Sequence, residues 1–276
     1  KIENRDEKQM ATDVLKASDL RHKYCLVRIS IEKAKILHKK GELHASAQEY
    51  GSVSQTFEAI AEALESEEDI NEFRFMAVLS RAWQKMMLAE DKDMPALYGE
   101  SAQLFEKASE QSSNDVARFM ALGHSRFCRA LEAGTAFADT GDTNMHTAAV
   151  KYLESAAKYY VNAGLQKASE YAEATELLFD AYVHMDRAKK ESDPEKKTKL
   201  YMIAEKVLQT SAGSFMKAEH PEKREQVLRL LEKVKKEREL AVSLAELLHA
   251  PSIVSATTAF PTPTPTHEAA VGLEKF

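Results

Sequence analysis

Apolar positions recur three and four residues apart through most of the chain, and almost nowhere at every second residue. The first spacing stacks side chains on one face of an α-helix, whereas strict alternation would mark a strand. The cleanest stripe is Leu43, Ala47, Tyr50, Val53, Ser54, Phe57, Ile60, Ala61 and Leu64, which predicts a helix over 42–66. Before it, Val14, Leu20, Tyr24, Val27, Ile31 and Leu37 keep the same spacing over 5–40. Ser18 and Asp19 can cap a restart there, so one long helix and two shorter ones both fit. Gly41 ends the segment, as a residue free to adopt positive φ. Further helices are predicted over 70–90, after Pro95 through Ala108, over 116–138 and 145–163, from Ala168 past Met185, after Pro194, and over 220–249. The breaks between them carry turn and cap residues: Asp93-Met94-Pro95, Asn114, Thr140-Gly141-Asp142 and Gly164. Ser192 and Glu195 stand in capping-box spacing, with Pro194 just inside the helix.

The helices read as pairs. Arg74-Phe75-Met76-Ala77 recurs as Arg118-Phe119-Met120-Ala121, and each copy opens a long helical run followed by a second one. In the second helices, aromatic residues stand at Phe57, Phe105, Tyr160 and Phe215, a period of about 50 residues. One hairpin cannot bury its apolar face alone, so stacked hairpins with a terminal capping helix are expected. Phe105, Phe119, Tyr160 and Phe215 should lie between helices, and small residues such as Ala77, Ala121, Ala156 and Ala174 should let axes approach to about 8–10 Å. The expected organisation is one elongated all-α domain over 1–250, then a Pro/Thr-rich linker and tail over 251–276. The alternating Pro and Thr from Thr257 to Thr266 favour extended backbone and a semi-rigid spacer. The stub that ends at Phe276 reads as leading into a longer protein.

With the stretch Glu154-Ser-Ala-Ala-Lys-Tyr-Tyr-Val-Asn-Ala-Gly164 and the Ala-rich helix after it, the pattern resembles the tetratricopeptide-like superfamily. Within that superfamily it is similar to long-helix members such as the soluble NSF attachment proteins. The 34-residue consensus of true tetratricopeptide repeats cannot be laid on any pair, because the helices are too long. The resemblance covers about residues 20 to 249 as architecture. It implies a right-handed solenoid of about four antiparallel hairpins plus the capping helix, and protein binding through a concave face. It assigns no binding residue.

Composition narrows the rest. Only 9 glycines and 7 prolines stand in 276 residues, which favours helix throughout. A net charge of −6 argues against nucleic-acid binding by charge alone. Cys25 and Cys128 are far apart and read as free thiols in a reducing, cytoplasmic compartment. No run of about 18 apolar residues marks a membrane span. The scattered glycines form no phosphate loop, and the dispersed histidines no metal motif, so neither cofactor nor metal is expected. Gly123-His124-Ser125-Arg126-Phe127 begins like a nucleophile elbow but lacks its last glycine and falls inside a predicted helix. Trp83 and the methionines near it read as core. The mixed charges over 217–238 read as surface ion pairs.

What remains is a non-enzymatic scaffold or adaptor for a protein or peptide partner. The alternatives are a regulatory or sensory module of a larger signalling protein or enzyme and, further off, a nucleic-acid-binding helical repeat. In a hairpin stack the first helices line the concave side. Arg74, Arg81, Lys85, Arg118, Arg126 and Arg129 fall on such helices, outside their apolar stripes. They are the candidate contacts for an acidic partner, because guanidinium forks suit carboxylates.

Overall fold

The computed structural model describes residues 3–249. The Pro/Thr-rich segment expected over 251–276 lies outside the described residues. Among those described there are nine helices and no strand: α1 Glu3–Lys39, α2 Leu43–Glu62, α3 Glu67–Lys92, α4 Pro95–Gln111, α5 Asp115–Thr140, α6 Thr143–Asn162, α7 Gln166–Lys190, α8 Pro194–Lys217 and α9 Pro221–His249. Of the two readings for the first segment, the single helix is the observed one. Ser18 and Asp19 lie inside α1, where Asp19 pairs with Lys23 one turn on, 2.8 Å away.

Local chemistry sets the helix ends. Gly41 and Gly164 take positive φ after α1 and α6, where a Cβ would be strained. Asn114 caps α5, its side chain accepting from the Ala117 amide at 3.1 Å. The cap of α8 is Asp193 and not Ser192. Pro194 occupies the first helical position, so the residue before it must be the cap. Asp193 Oδ1 accepts from the amides of Glu195 and Lys196, and these bonds hold its carboxyl below the usual range. Asn114→Ala should lower the unfolding free energy by about 1 kcal/mol, measured by urea denaturation. No change would mean that α5 starts without its cap.

Consecutive helices pack against each other and run antiparallel. Between α2 and α3, for example, Tyr50 stacks on Trp83 while Phe57 meets Phe73. The odd-numbered helices also touch along their own row: Tyr24 meets Phe73, Trp83 meets His124, and Phe127 meets Tyr171. The even-numbered helices supply the large plugs. Phe57, Phe105, Tyr160 and Phe215 are all buried, at 0–3% exposure. Alanine makes the close approaches, with Ala77, Ala121, Ala156 and Ala174 buried as expected. Four buried serines satisfy their hydroxyls on alanine carbonyls of the adjoining helix: Ser46 on Ala34, Ser54 on Ala77, Ser101 on Ala82 and Ser211 on Ala174, at 2.8–2.9 Å.

Phe119 departs from expectation. It is only partly buried, between Tyr159 on one face and the Arg118 guanidinium 5.4 Å from its ring centre. The array is also no straight stack. Lys223 in the first turn of α9 reaches Glu90 near the end of α3, 3.0 Å away, so the odd row curls back on itself.

Candidate interaction surface

The six basic residues read from the sequence sit on α3 and α5, and the fold supplies five of them with carboxylates. Arg81 pairs with Glu58 of α2 at 3.4 Å, Lys85 with Glu100 of α4 at 2.7 Å, and Arg126 with Glu106 of α4 at 3.2 Å. Arg118 and Arg129 pair within α5, with Asp115 and Glu132. Arg74 is exposed. Three of these pairs bridge α3 or α5 to an even-numbered helix and two lie within α5, so the residues make a row of partly exposed ion pairs, not a strip of bare positive charge. Such pairs are worth about 0–1 kcal/mol each, so a competing carboxylate can take over a guanidinium. The groove between α6 and α7 has the opposite character. Glu154, Glu173 and Glu176 line it. Burial and then its acidic neighbours raise the Glu176 carboxyl above its ordinary range.

Behind the row lies an aromatic cluster. Trp83 packs edge-on to Phe105 at 5.4 Å and meets His124 at 4.5 Å, as core and not as an open cage. His124 Nδ1 and the Tyr160 hydroxyl share a hydrogen bond of 2.7 Å. Burial holds this imidazole down to about 3. The Gly123-His124-Ser125 run is helical, as its position predicted. Cys25 and Cys128 are free thiols, the first exposed and the second buried. Burial pushes the Cys128 thiol up to about 12, against the smaller effect of its contact with Ser101. Ser101 Oγ also donates to the Ala82 carbonyl at 2.8 Å.

Sequence reasoning missed a second grouping, where the curl brings distant helix ends together. Glu90 of α3 and Lys223 of α9 stand beside His38 of α1, His220 before α9, and the rings of Tyr98, Tyr171 and Tyr182. His44, across the α1–α2 turn from His38, faces Asp91 instead. No local motif marks this grouping. The sole sequence hint is that charged residues sit near the ends of long helices.

Among the described residues, no group of three or more His, Cys, Asp or Glu side chains is placed to hold a metal ion. No described helix is long and apolar enough to cross a membrane. The described residues define an all-α array of consecutively packed helical hairpins. No protein-family model, curated protein or solved structure matches the chain.

Proposed function

We propose that this chain is a non-enzymatic scaffold, a right-handed tetratricopeptide-like solenoid that receives a protein or peptide partner on the concave side of its odd-numbered helices. The observation that carries the reading is the row of ring contacts joining α1, α3, α5 and α7, which makes one continuous helical surface. Repeat arrays use such surfaces for binding. Arg74, Arg81, Lys85, Arg118, Arg126 and Arg129 are the proposed contacts for acidic groups of the partner. Their present carboxylates are exposed enough to be exchanged. A cytoplasmic setting goes with this reading, because a reducing compartment protects an exposed thiol such as Cys25.

Charge reversal at Arg81 and Arg126 together tests the surface. Binding of a partner recovered by affinity capture should be salt-sensitive in the parent and at least about ten-fold weaker in R81E/R126E. Thermal stability should change little, since both residues sit in partly exposed pairs. A partner that binds the double variant as tightly as the parent rules this surface out.

A further inference from the structure

We propose that the start of α9 is a latch across the curl, in which Lys223 on Glu90 holds the inner face closed and His38 and His220 let protons release it. The proposal needs no partner on that face, and so does not depend on the scaffold reading.

In the odd row, α5 and α7 stand between α3 and α9, yet Lys223 Nζ lies 3.0 Å from a Glu90 carboxylate oxygen. Each charge sits at the wrong end of its own helix. Lys223 is in the first turn of α9, where the dipole favours anions, and Glu90 is in the last turn of α3, where it favours cations. Neither helix stabilises its charge, so each relies on the other across the curl. Both side chains are about a third exposed, at 34% and 30%. The contact is thus shielded enough to matter and open enough to break.

Titratable groups from four helices surround the contact. His38 faces Glu90 of α3 and Glu222 and Lys223 of α9, with Lys39 beside it on α1. His220 faces His38 and Lys39, with Glu222 and Lys223 following it, and its ring lies 4.4 Å from Tyr171 of α7. From α4, Tyr98 faces Glu90 and Asp93; from α7, Tyr182 faces Lys223, and Lys167 pairs with Glu219 next to His220. Protonating both histidines therefore adds two positive charges beside Lys39 and Lys223. Glu90 and Glu222 offset part of that, but Glu90 is already engaged by Lys223.

Burial lowers both imidazoles below their ordinary range, and at His220 the nearby His38 and Lys39 add to it. The sign follows. The closed form binds fewer protons than an open form with hydrated histidines, so its stability is present above about pH 6.5 and is lost as pH falls below that.

Hydrogen exchange on the full chain reads the latch directly. At about pH 7.5 the amides of the first hydrogen-bonded turn of α9, from Arg224 on, should be protected. At about pH 5.5, after correction for intrinsic exchange, that protection should fall at least roughly ten-fold while α5 is unchanged. K223E should show the same loss at about pH 7.5, and the swap E90K/K223E should recover at least the parent's protection, because each charge then suits its own helix end. H38Q/H220Q should remove the pH response. The proposal is overturned if K223E leaves α9 as protected as the parent, or if the pH response survives in H38Q/H220Q. Should K223E fail to fold, the swap decides: a folded swap lacking the parent's protection also overturns it.

Discussion

Phe105→Ala lowers the unfolding free energy by about 3–5 kcal/mol, from lost transfer energy plus the cavity left behind. The ring is fully buried on α4 and wedged against Trp83 and His124 of two neighbouring odd helices, so no single helix can shift to fill the space. Phe119→Ala should cost only about 1 kcal/mol, because that ring already faces water on part of its surface. Urea denaturation of both variants gives the comparison. A loss below about 1 kcal/mol for Phe105→Ala would contradict the packing, as would equal losses at the two positions.

Gly123→Ala destabilises by about 1–3 kcal/mol, although alanine is the better helix former by about 0.5–1 kcal/mol. A Cβ on Gly123 would meet Tyr160 Cε1 at 2.6 Å and Cδ1 at 2.7 Å. The ring cannot swing aside, since its hydroxyl holds His124 and it is 3% exposed. Gly213 in α8 is the control. Nothing lies within 4 Å of a Cβ there, so Gly213→Ala should stabilise by about 0.5–1 kcal/mol. Thermal or urea unfolding that gives both substitutions the same sign would show that the α5–α6 approach is looser than described.

The two substitutions mark how far the sequence can be read. The three-and-four spacing located the helices to within a few residues, and the recurring aromatics marked the even helices, because burial in this fold is periodic along each helix. Phe119, expected between helices, is only partly buried, although it repeats the place of Phe75 in the Arg-Phe-Met-Ala run. Phe75 is buried and Phe119 is not, and identical neighbours in sequence do not bring identical neighbours in space. The cap of α8 was legible in principle, since Pro194 at the first helical position fixes the cap one residue before it. The carboxylates facing Arg81 and Arg126 were not, because Glu58 and Glu106 belong to other helices and meet them only once the hairpins stack. The contact of Glu90 with Lys223 lies further still from any local pattern. Curvature accumulates from small rotations between repeats, and no single segment encodes the sum.

The serines on the even helices settle a problem that alanine creates. An alanine stripe is a poor ruler: its small side chains leave a shallow groove, so along it a slip of a residue or two, about 1.5–3 Å, meets little steric resistance. A hydroxyl has no such tolerance. In a slipped hairpin the donors of Ser46, Ser54, Ser101 and Ser211 would leave their carbonyls while still shut away from water, at about 1–3 kcal/mol each. The apolar faces make the helices adhere, and the serines set the register in which they do so. A misaligned hairpin is therefore penalised as it forms, before any later repeat has stacked upon the error.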